Sequence, residues 1–356
     1  VYQANHPDTL IKNRNIQAVP IRQLEKLAAD LWLMSPPCQP YSRQGHQRGL
    51  EDARSDSFRY LLDALTQMKN PPSVILVENV VGFESSQGRE ELVATLNTLQ
   101  YRFQEFWLSP DQFGVPNSRL RYFLLAIRGD RFRAEPSATA ADAAFGNSST
   151  LMYHLPGALQ FEPGLPTSEF GTFDDAYRVA VEQSQVSDYS YPQQVCIAEA
   201  CAIGSKKKKN NAGCLTSHPP RMGILSSTHL ARHLPGSGRL LLRWGRLLDI
   251  VRPEERRSLC FTKGYSHKVE GTGSVFQVCI CVAIPMAFEQ LDVPSPGAGW
   301  PAVEALELRY FTPQEMLRLH GFPTDFVIPS SVTDRQARKA IGNSLCVTIV
   351  AHLLDL

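Results

Sequence analysis

The stretch Ala29-Asp30-Leu31-Trp32-Leu33-Met34-Ser35-Pro36-Pro37-Cys38-Gln39-Pro40 decides how this chain is interpreted. Its first half has the length and composition of a buried strand. The two prolines end that strand, because proline lacks the donor of the strand ladder and keeps the preceding residue extended. Cys38 therefore follows the carboxyl end of a strand, where open parallel sheets bind ligands. A lone cysteine is often a small buried hydrophobe, but a cysteine between prolines on a polar loop is poorly suited to core packing.

A second short β-branched run, residues 73–77, is followed directly by Glu78-Asn79-Val80. An acid and an amide thus stand at the end of a second predicted strand. The ends of neighbouring parallel strands meet at one edge of a sheet. The sequence therefore predicts that the Cys38 thiol and the Glu78 carboxyl share one site.

Strands and helices alternate around these two runs. Apolar residues at helical spacing predict helices near residues 20–28, 55–68 and 92–99, and apolar runs predict further strands at 101–108 and 122–127. Strand, helix, strand, helix with short loops is typical of a parallel α/β sheet. Later in the chain we expect helices at 240–251, from Thr312 to about Leu319, and at 347–354.

The composition excludes several classes of protein. The chain has 356 residues, a net charge of +1 and 43% hydrophobic residues, which predicts about two globular domains and shows no whole-chain signature of nucleic-acid binding. No apolar run approaches the ~20 residues that a membrane span needs, so we expect an intracellular protein. Eight scattered cysteines without a CxxC pair argue against zinc and against a disulfide scaffold.

Two polar motifs leave alternatives open. Arg119 and Arg121 stand at alternate positions before a strand, and they either form a solvated basic edge or hold a phosphate or base oxygen by forked hydrogen bonds. Asn343 and Ser344 precede the last helix and either cap it or bind a small polar ligand.

Together, these pieces resemble the cytosine carbon-5 methyltransferase family. Five of its motifs occur in order, namely Ser35-Pro36-Pro37-Cys38-Gln39-Pro40, Glu78-Asn79-Val80, Arg119-Leu120-Arg121, Arg309 through Pro323, and Gly342-Asn343-Ser344-Leu345. Cys260-Phe261-Thr262 and residues 117–123 resemble the branch that methylates a cytosine in the anticodon loop of aspartate tRNA. The same signature and the small recognition region make DNA the less favoured substrate.

The resemblance implies a reaction and its residues. The cofactor is S-adenosylmethionine and no metal is needed. Cys38 adds to carbon 6 of a cytosine turned out of its stack, a proton-bearing Glu78 binds ring nitrogen 3, and Arg119 or Arg121 grips the base oxygen. The implied substrate contacts are Gln39, Asn79, Cys260, Phe261 and Thr262. The implied cofactor contacts are Asp30, Ser35, Pro36, Asn343 and Ser344.

The expected architecture is a Rossmann-like α/β methyltransferase sheet that lacks its first βαβ portion. We expect residues 1–128 to form the catalytic domain, 129–305 a target-recognition region with irregular insertions, and 306–356 to return to the catalytic domain. The Gly-rich turn that cradles the cofactor in this family is absent, so we expect an N-terminally truncated chain that binds cofactor poorly. Two alternatives stay open: a DNA cytosine-5 methyltransferase, and a catalytically dead nucleic-acid-binding protein.

Overall fold

The computed structural model describes residues 1–37, 56–128, 151–155, 244–253, 255–268, 270–277, 283–289 and 300–356. Cys38, Gln39 and most of the stretches predicted to be irregular lie outside these residues. The described residues form two compact units. The first unit consists of the described residues within Val1–Phe113, Arg119–Thr167 and Val347–Leu356. The second consists of those within Gly114–Ser118 and Ser168–Cys346. The three-part functional division of the chain stays a prediction.

Nine helices and seven strands lie in the described part of the chain. The helices are α1 Tyr2–Asn5, α2 Ile21–Glu25, α3 Asp56–Gln67, α4 Gln87–Thr98, α5 Ile284–Glu289, α6 Trp300–Glu304, α7 Pro313–Arg318, α8 Asp334–Gly342 and α9 Val347–Leu354. The strands are β1 Leu31–Met34, β2 Val74–Val80, β3 Tyr101–Leu108, β4 Arg121–Arg128, β5 Ile250–Val251, β6 Val275–Gln277 and β7 Leu308–Tyr310. None of these helices is both long and apolar enough to cross a membrane.

The sheet of the first unit has four strands in the order β1-β2-β4-β3. β1 and β2 are parallel, as predicted, with Met34 opposite Val77. The prediction of a parallel sheet is wrong for β4, which runs antiparallel to both β2 and β3. A parallel return needs a crossover element, and the link between β3 and β4 contains only the single 3₁₀ turn Pro110–Phe113. The mixed sheet with its helices is still an α/β fold of the predicted class.

One face of this sheet packs against α3 and α4. Alternate strand residues such as Ile75, Val77 and Leu124 are buried there with Leu65 of α3 and Leu92 of α4. Successive residues in the middle of β2 and β4 are buried, so both faces of these strands are covered there and their sequences are apolar at successive positions instead of strictly alternating. The core therefore fixes β2, which carries Glu78 and Asn79 near its end, and β4, which begins at Arg121.

The second unit contains the three-stranded sheet β5-β6-β7. The helix predicted at 240–251 is wrong for the described residues, which form a single 3₁₀ turn, Gly245–Leu247, followed by β5. Ile250 pairs with Val275 of β6, so tertiary pairing overrides the helical spacing of the apolar residues. The predicted helix start at Thr312 is confirmed by a complete capping box between Thr312 and Glu315.

Candidate active site

The turn that leads to Cys38 is tied to the end of the neighbouring strand. The side-chain amide of Asn79, only 2% exposed, donates a hydrogen bond to the carbonyl oxygen of Pro36 at 3.3 Å. The Asn79 side-chain oxygen accepts from the N–H of Val80 at 2.9 Å. Asn79 therefore orients the turn. The positions of Cys38 and Gln39 stay predictions, because both residues lie outside the described part of the chain.

Glu78 and Arg121 come together at the same edge of the sheet. Glu78 lies opposite Phe123 in the antiparallel pair, which puts Arg121, two residues away, on the same face as Glu78. The Arg121 Nε atom lies 3.5 Å from Glu78 Oε1, and the two side chains are 19% and 15% exposed. This pair offers an acid and a guanidinium donor to a planar polar ligand.

Arg119 is placed differently from Arg121. A shared face for the two arginines would need the strand to include both, but β4 begins at Arg121. Arg119 is 5% exposed and its N–H donates to the Ser109 hydroxyl at 3.1 Å. Of the two arginines, Arg121 is therefore the one paired with the predicted acid.

The predicted cofactor residues of the first unit lie at opposite ends of β1. Ser35 and Pro36 follow its carboxyl end, where a sheet of this kind binds ligands, and they fit a cofactor contact there. Asp30 precedes its amino end, five residues from Ser35, or roughly 16 Å along an extended chain. Its carbonyl accepts the Val74 N–H at 2.9 Å. Asp30 and Ser35 therefore cannot hold the same part of a small ligand.

Gly342 packs directly on the backbone of the predicted substrate motif. A Cβ atom at Gly342 would lie 2.3 Å from the Thr262 carbonyl oxygen and 2.9 Å from the Lys263 nitrogen. The following Asn343 closes α8 through its N–H, and the Ser344 hydroxyl donates to the Ile341 carbonyl at 2.6 Å. The predicted last helix, 347–354, is confirmed as α9, but Asn343 closes α8 instead of capping α9.

The three residues of the Cys260-Phe261-Thr262 motif have different surroundings. The Phe261 side chain has 0% exposure and packs edge-on against Tyr265 and Phe311, with ring centroids 4.9 Å and 5.1 Å apart. A fully buried ring has no surface to offer a base, so the structure makes Phe261 part of the core and not of the predicted substrate contact. Cys260 and Thr262 are partly exposed.

A buried ion pair on the helix-packed side of the sheet was not predicted. Glu105 in β3 is 2% exposed and accepts hydrogen bonds from the Arg89 guanidinium and from the Tyr122 hydroxyl at 2.6 Å. The hydrogen bond to Glu105 raises the pKa of Arg89. The signal that could have shown it is the position of Glu105, which shares its strand face with the core residues Tyr101 and Phe103.

The fold and the acid–arginine pair at the strand edge where Asn79 holds Pro36 together define a class of enzyme. The family described as C-5 cytosine-specific DNA methylase matches residues 1–355, and the chain belongs to that family. This confirms the family that the motifs indicate.

Known relatives refine this class. The rat protein named tRNA (cytosine(38)-C(5))-methyltransferase is 36% identical to this chain, over 99% of the chain and 88% of the relative. A Dictyostelium discoideum protein named DNA (cytosine-5)-methyltransferase is 34% identical, over 96% of the chain and 80% of the relative. The crystal structure of a Spodoptera frugiperda DNMT2 variant matches with a TM-score of 0.66 and 28% identity, covering 99% of this chain and 87% of that one.

Proposed function

We propose that this protein methylates carbon 5 of a cytosine in the anticodon loop of tRNA, with aspartate tRNA as the substrate. The observation that carries the proposal is the Glu78–Arg121 pair at the strand edge where Asn79 holds the turn before Cys38. The name of the rat relative supports tRNA as the substrate class. Such a substrate places the enzyme in the cytoplasm or the nucleus.

The chain supplies the groups that make carbon 5 reactive. The Cys38 thiolate forms a bond to carbon 6 of the cytosine, and Glu78 donates a hydrogen bond or proton to ring nitrogen 3, which takes up the displaced electron pair. Arg121 binds the base oxygen and keeps Glu78 in place. Loss of the carbon-5 proton after methylation then expels the thiolate and restores the aromatic ring.

S-adenosylmethionine is the proposed methyl donor, and it supplies an electrophilic methyl group on a sulfonium. Ser35 and Pro36 are the described residues of the first unit whose position fits a contact with it. Asp30 is left out, because it lies at the amino end of β1.

An exposed basic surface in the second unit supports an RNA substrate. It consists of Lys263, His267, Arg335 and Lys339, all exposed. Gly342 packs at Lys263, while Arg335 lies 3.1 Å from the His267 ring, so α8 runs along residues 262–268. Lys339 lies one turn after Arg335 on the same face of α8. Cations gathered beside Thr262 are suited to contact RNA phosphates.

The test is methyl transfer from labelled S-adenosylmethionine to three substrates: an aspartate tRNA transcript, the same transcript with uridine at position 38, and duplex DNA. We expect labelling of the first alone. Cys38→Ala should abolish it, and Glu78→Gln should lower kcat about 100-fold or more. Glu91→Gln, the same change at the partly exposed Glu91 of α4, should have no effect.

A trapping experiment separates the alternatives. The wild-type protein should form a covalent adduct with RNA containing 5-fluorocytosine, and Cys38→Ala should not. Labelling of duplex DNA in place of tRNA would favour the DNA enzyme, to which the Dictyostelium relative points. RNA binding with neither labelling nor adduct would show a protein that binds nucleic acid without catalysis.

A further inference from the structure

Glu105 is a buried charge in β3, the edge strand of the sheet that carries the candidate active site. Its carboxylate is held on one side by the Arg89 guanidinium, which donates from Nε at 2.9 Å and from Nη2, and on the other by the Tyr122 hydroxyl at 2.6 Å. Arg89 comes from α4, Glu105 from β3 and Tyr122 from β4. The network therefore ties one helix and two strands together at a single carboxylate.

Tyr122 is the member of this network that lies next to the site. It directly follows Arg121 at the start of β4, and it lies opposite Asn79 in the strand register. Its ring packs on Phe83, with ring centroids 5.1 Å apart. Strand ends loosen more easily than strand centres, so the anchored Tyr122 side chain fixes the backbone from which Arg121 projects on the opposite face.

The same face of the sheet carries a row of polar side chains on three neighbouring strands. Glu105 of β3, Tyr122 of β4 and Asn79 of β2 follow one another in the spatial order of the strands. The last member of the row, Asn79, donates to the carbonyl of Pro36 beyond β1. The row thus reaches from the buried ion pair to the turn that precedes Cys38.

We propose that Glu105, together with Arg89 and Tyr122, is a positioning group for methyl transfer. It holds the start of β4 and Asn79 so that Arg121, Glu78 and the turn at Pro36 keep their relative geometry. This inference rests on the proposed function, and it assigns no contact with substrate to Glu105.

Stability alone is a weak explanation for this network. Removing a carboxylate and a guanidinium from water costs free energy, and apolar side chains of similar volume often stabilise such a site equally well. Burial, followed by the neighbouring Glu105 carboxylate, raises the pKa of Tyr122 well above its ordinary value. The phenol therefore stays protonated and donates its hydrogen bond throughout the physiological pH range.

The same sheet offers a matched control. Tyr101 of β3 is buried to the same degree as Tyr122, in the same core, and its hydroxyl donates to the Pro72 carbonyl. Tyr101 pairs with Arg128 at the other end of β4 from Arg121. Tyr101→Phe and Tyr122→Phe thus remove the same group from equally buried positions, one far from the site and one beside it.

Steady-state methylation and melting temperature would be measured for both variants. We expect Tyr122→Phe to lower kcat about 10-fold, because small displacements of catalytic groups are costly, with KM for tRNA changed less than twofold. Tyr101→Phe should lower the melting temperature by a similar amount and leave kcat unchanged. Equal kcat values for the two variants would overturn the proposal.

A second variant removes the whole network without leaving any of its members buried alone. Arg89→Met/Glu105→Leu/Tyr122→Phe should keep the wild-type melting temperature and still lower kcat about 10-fold. Wild-type kcat in this stable triple variant would show that the network serves packing only.

Hydrogen exchange makes the inference testable apart from activity. Peptides containing Val80 and Arg121 should exchange faster in Tyr122→Phe than in Tyr101→Phe, while peptides covering β6 and β7 stay unchanged. Absence of methylation by the wild-type protein would count against the proposed function, whereas equal exchange in the two variants would overturn the positioning role.

Discussion

Substituting alanine for Gly342 should damage the second unit, although alanine is normally the better helix residue. Gly342 is the last residue of α8, and an added Cβ would lie 2.3 Å from the carbonyl oxygen and 2.4 Å from the carbonyl carbon of Thr262. Carbon atoms pack best at ~3.5–4.0 Å, so α8 and residues 262–263 would have to separate by about 1 Å. Both atoms belong to the backbone, which cannot turn aside as a side chain can.

The expected cost follows from two opposing effects. Alanine in place of glycine gains at most ~1 kcal/mol of helix propensity. Overpacking a close contact costs ~1–3 kcal/mol, and a contact with backbone lies at the upper end of this range. The net destabilisation is therefore about 2 kcal/mol, which corresponds to a decrease of roughly 4–8 °C in the melting temperature.

The assay is thermal unfolding of Gly342→Ala beside Gly264→Ala. Gly264 lies two residues after Thr262, and its added Cβ would meet only side-chain atoms, the nearest being Thr272 Cγ2 at 3.3 Å. We expect Gly264→Ala to unfold within about 2 °C of the wild type. Affinity for tRNA should fall only in Gly342→Ala, since this change displaces α8 from Lys263. A Gly342→Ala protein as stable as the wild type would refute the close approach of α8 to Thr262.

Two further substitutions test individual contacts. Burial alone would raise the pKa of Glu315. The Arg309 charge and the hydrogen bonds from Arg309 and Thr312 outweigh this effect of burial, so the pKa of Glu315 lies below its ordinary value. The carboxylate therefore stabilises the fold fully above the pKa of the unfolded state, and this contribution is lost as the pH falls through the lower, folded-state pKa. Glu315→Gln should lower the free energy of unfolding, measured with urea, by about 2–3 kcal/mol at pH 7 and by progressively less below about pH 4. A stability difference between variant and wild type that does not change with pH would contradict the ion pair. Asn79→Ala removes the hydrogen bond to Pro36. It should lower the free energy of unfolding by about 1–2 kcal/mol and kcat about 10-fold. An unchanged kcat in tRNA methylation would show that other contacts hold the turn before Cys38.

The elements that depend on local sequence were predicted well. The strand Tyr101–Leu108 has the predicted bounds, and the capping box at Thr312 was visible as Thr-Pro-Gln-Glu before an apolar turn. Such signals are local, because propensity and capping act within one or two helical turns. They also suffice to order the family's motifs along the chain.

Strand direction and pairing were predicted less well. Nothing in residues 109–120 distinguishes a crossover from a tight return, and the return puts β4 between β2 and β3. The apolar residues near 250 fit helical spacing and strand spacing alike, and the partner strand β6 decides in favour of a strand. In both places the choice rests on a partner that is distant in sequence.

The sequence by itself determined which groups are present for the chemistry: a cysteine after two prolines, the acid Glu78, a pair of arginines and the closing motifs. Only the tertiary structure decided that Arg121 pairs with Glu78, that Asn79 holds the Pro36 turn, and that Phe261 lies in the core. It alone showed that the buried Glu105 faces Arg89 and Tyr122. The physical reason is that residue type and local spacing fix what a side chain can do, whereas its partners are set by strand register and core packing between segments far apart in the chain.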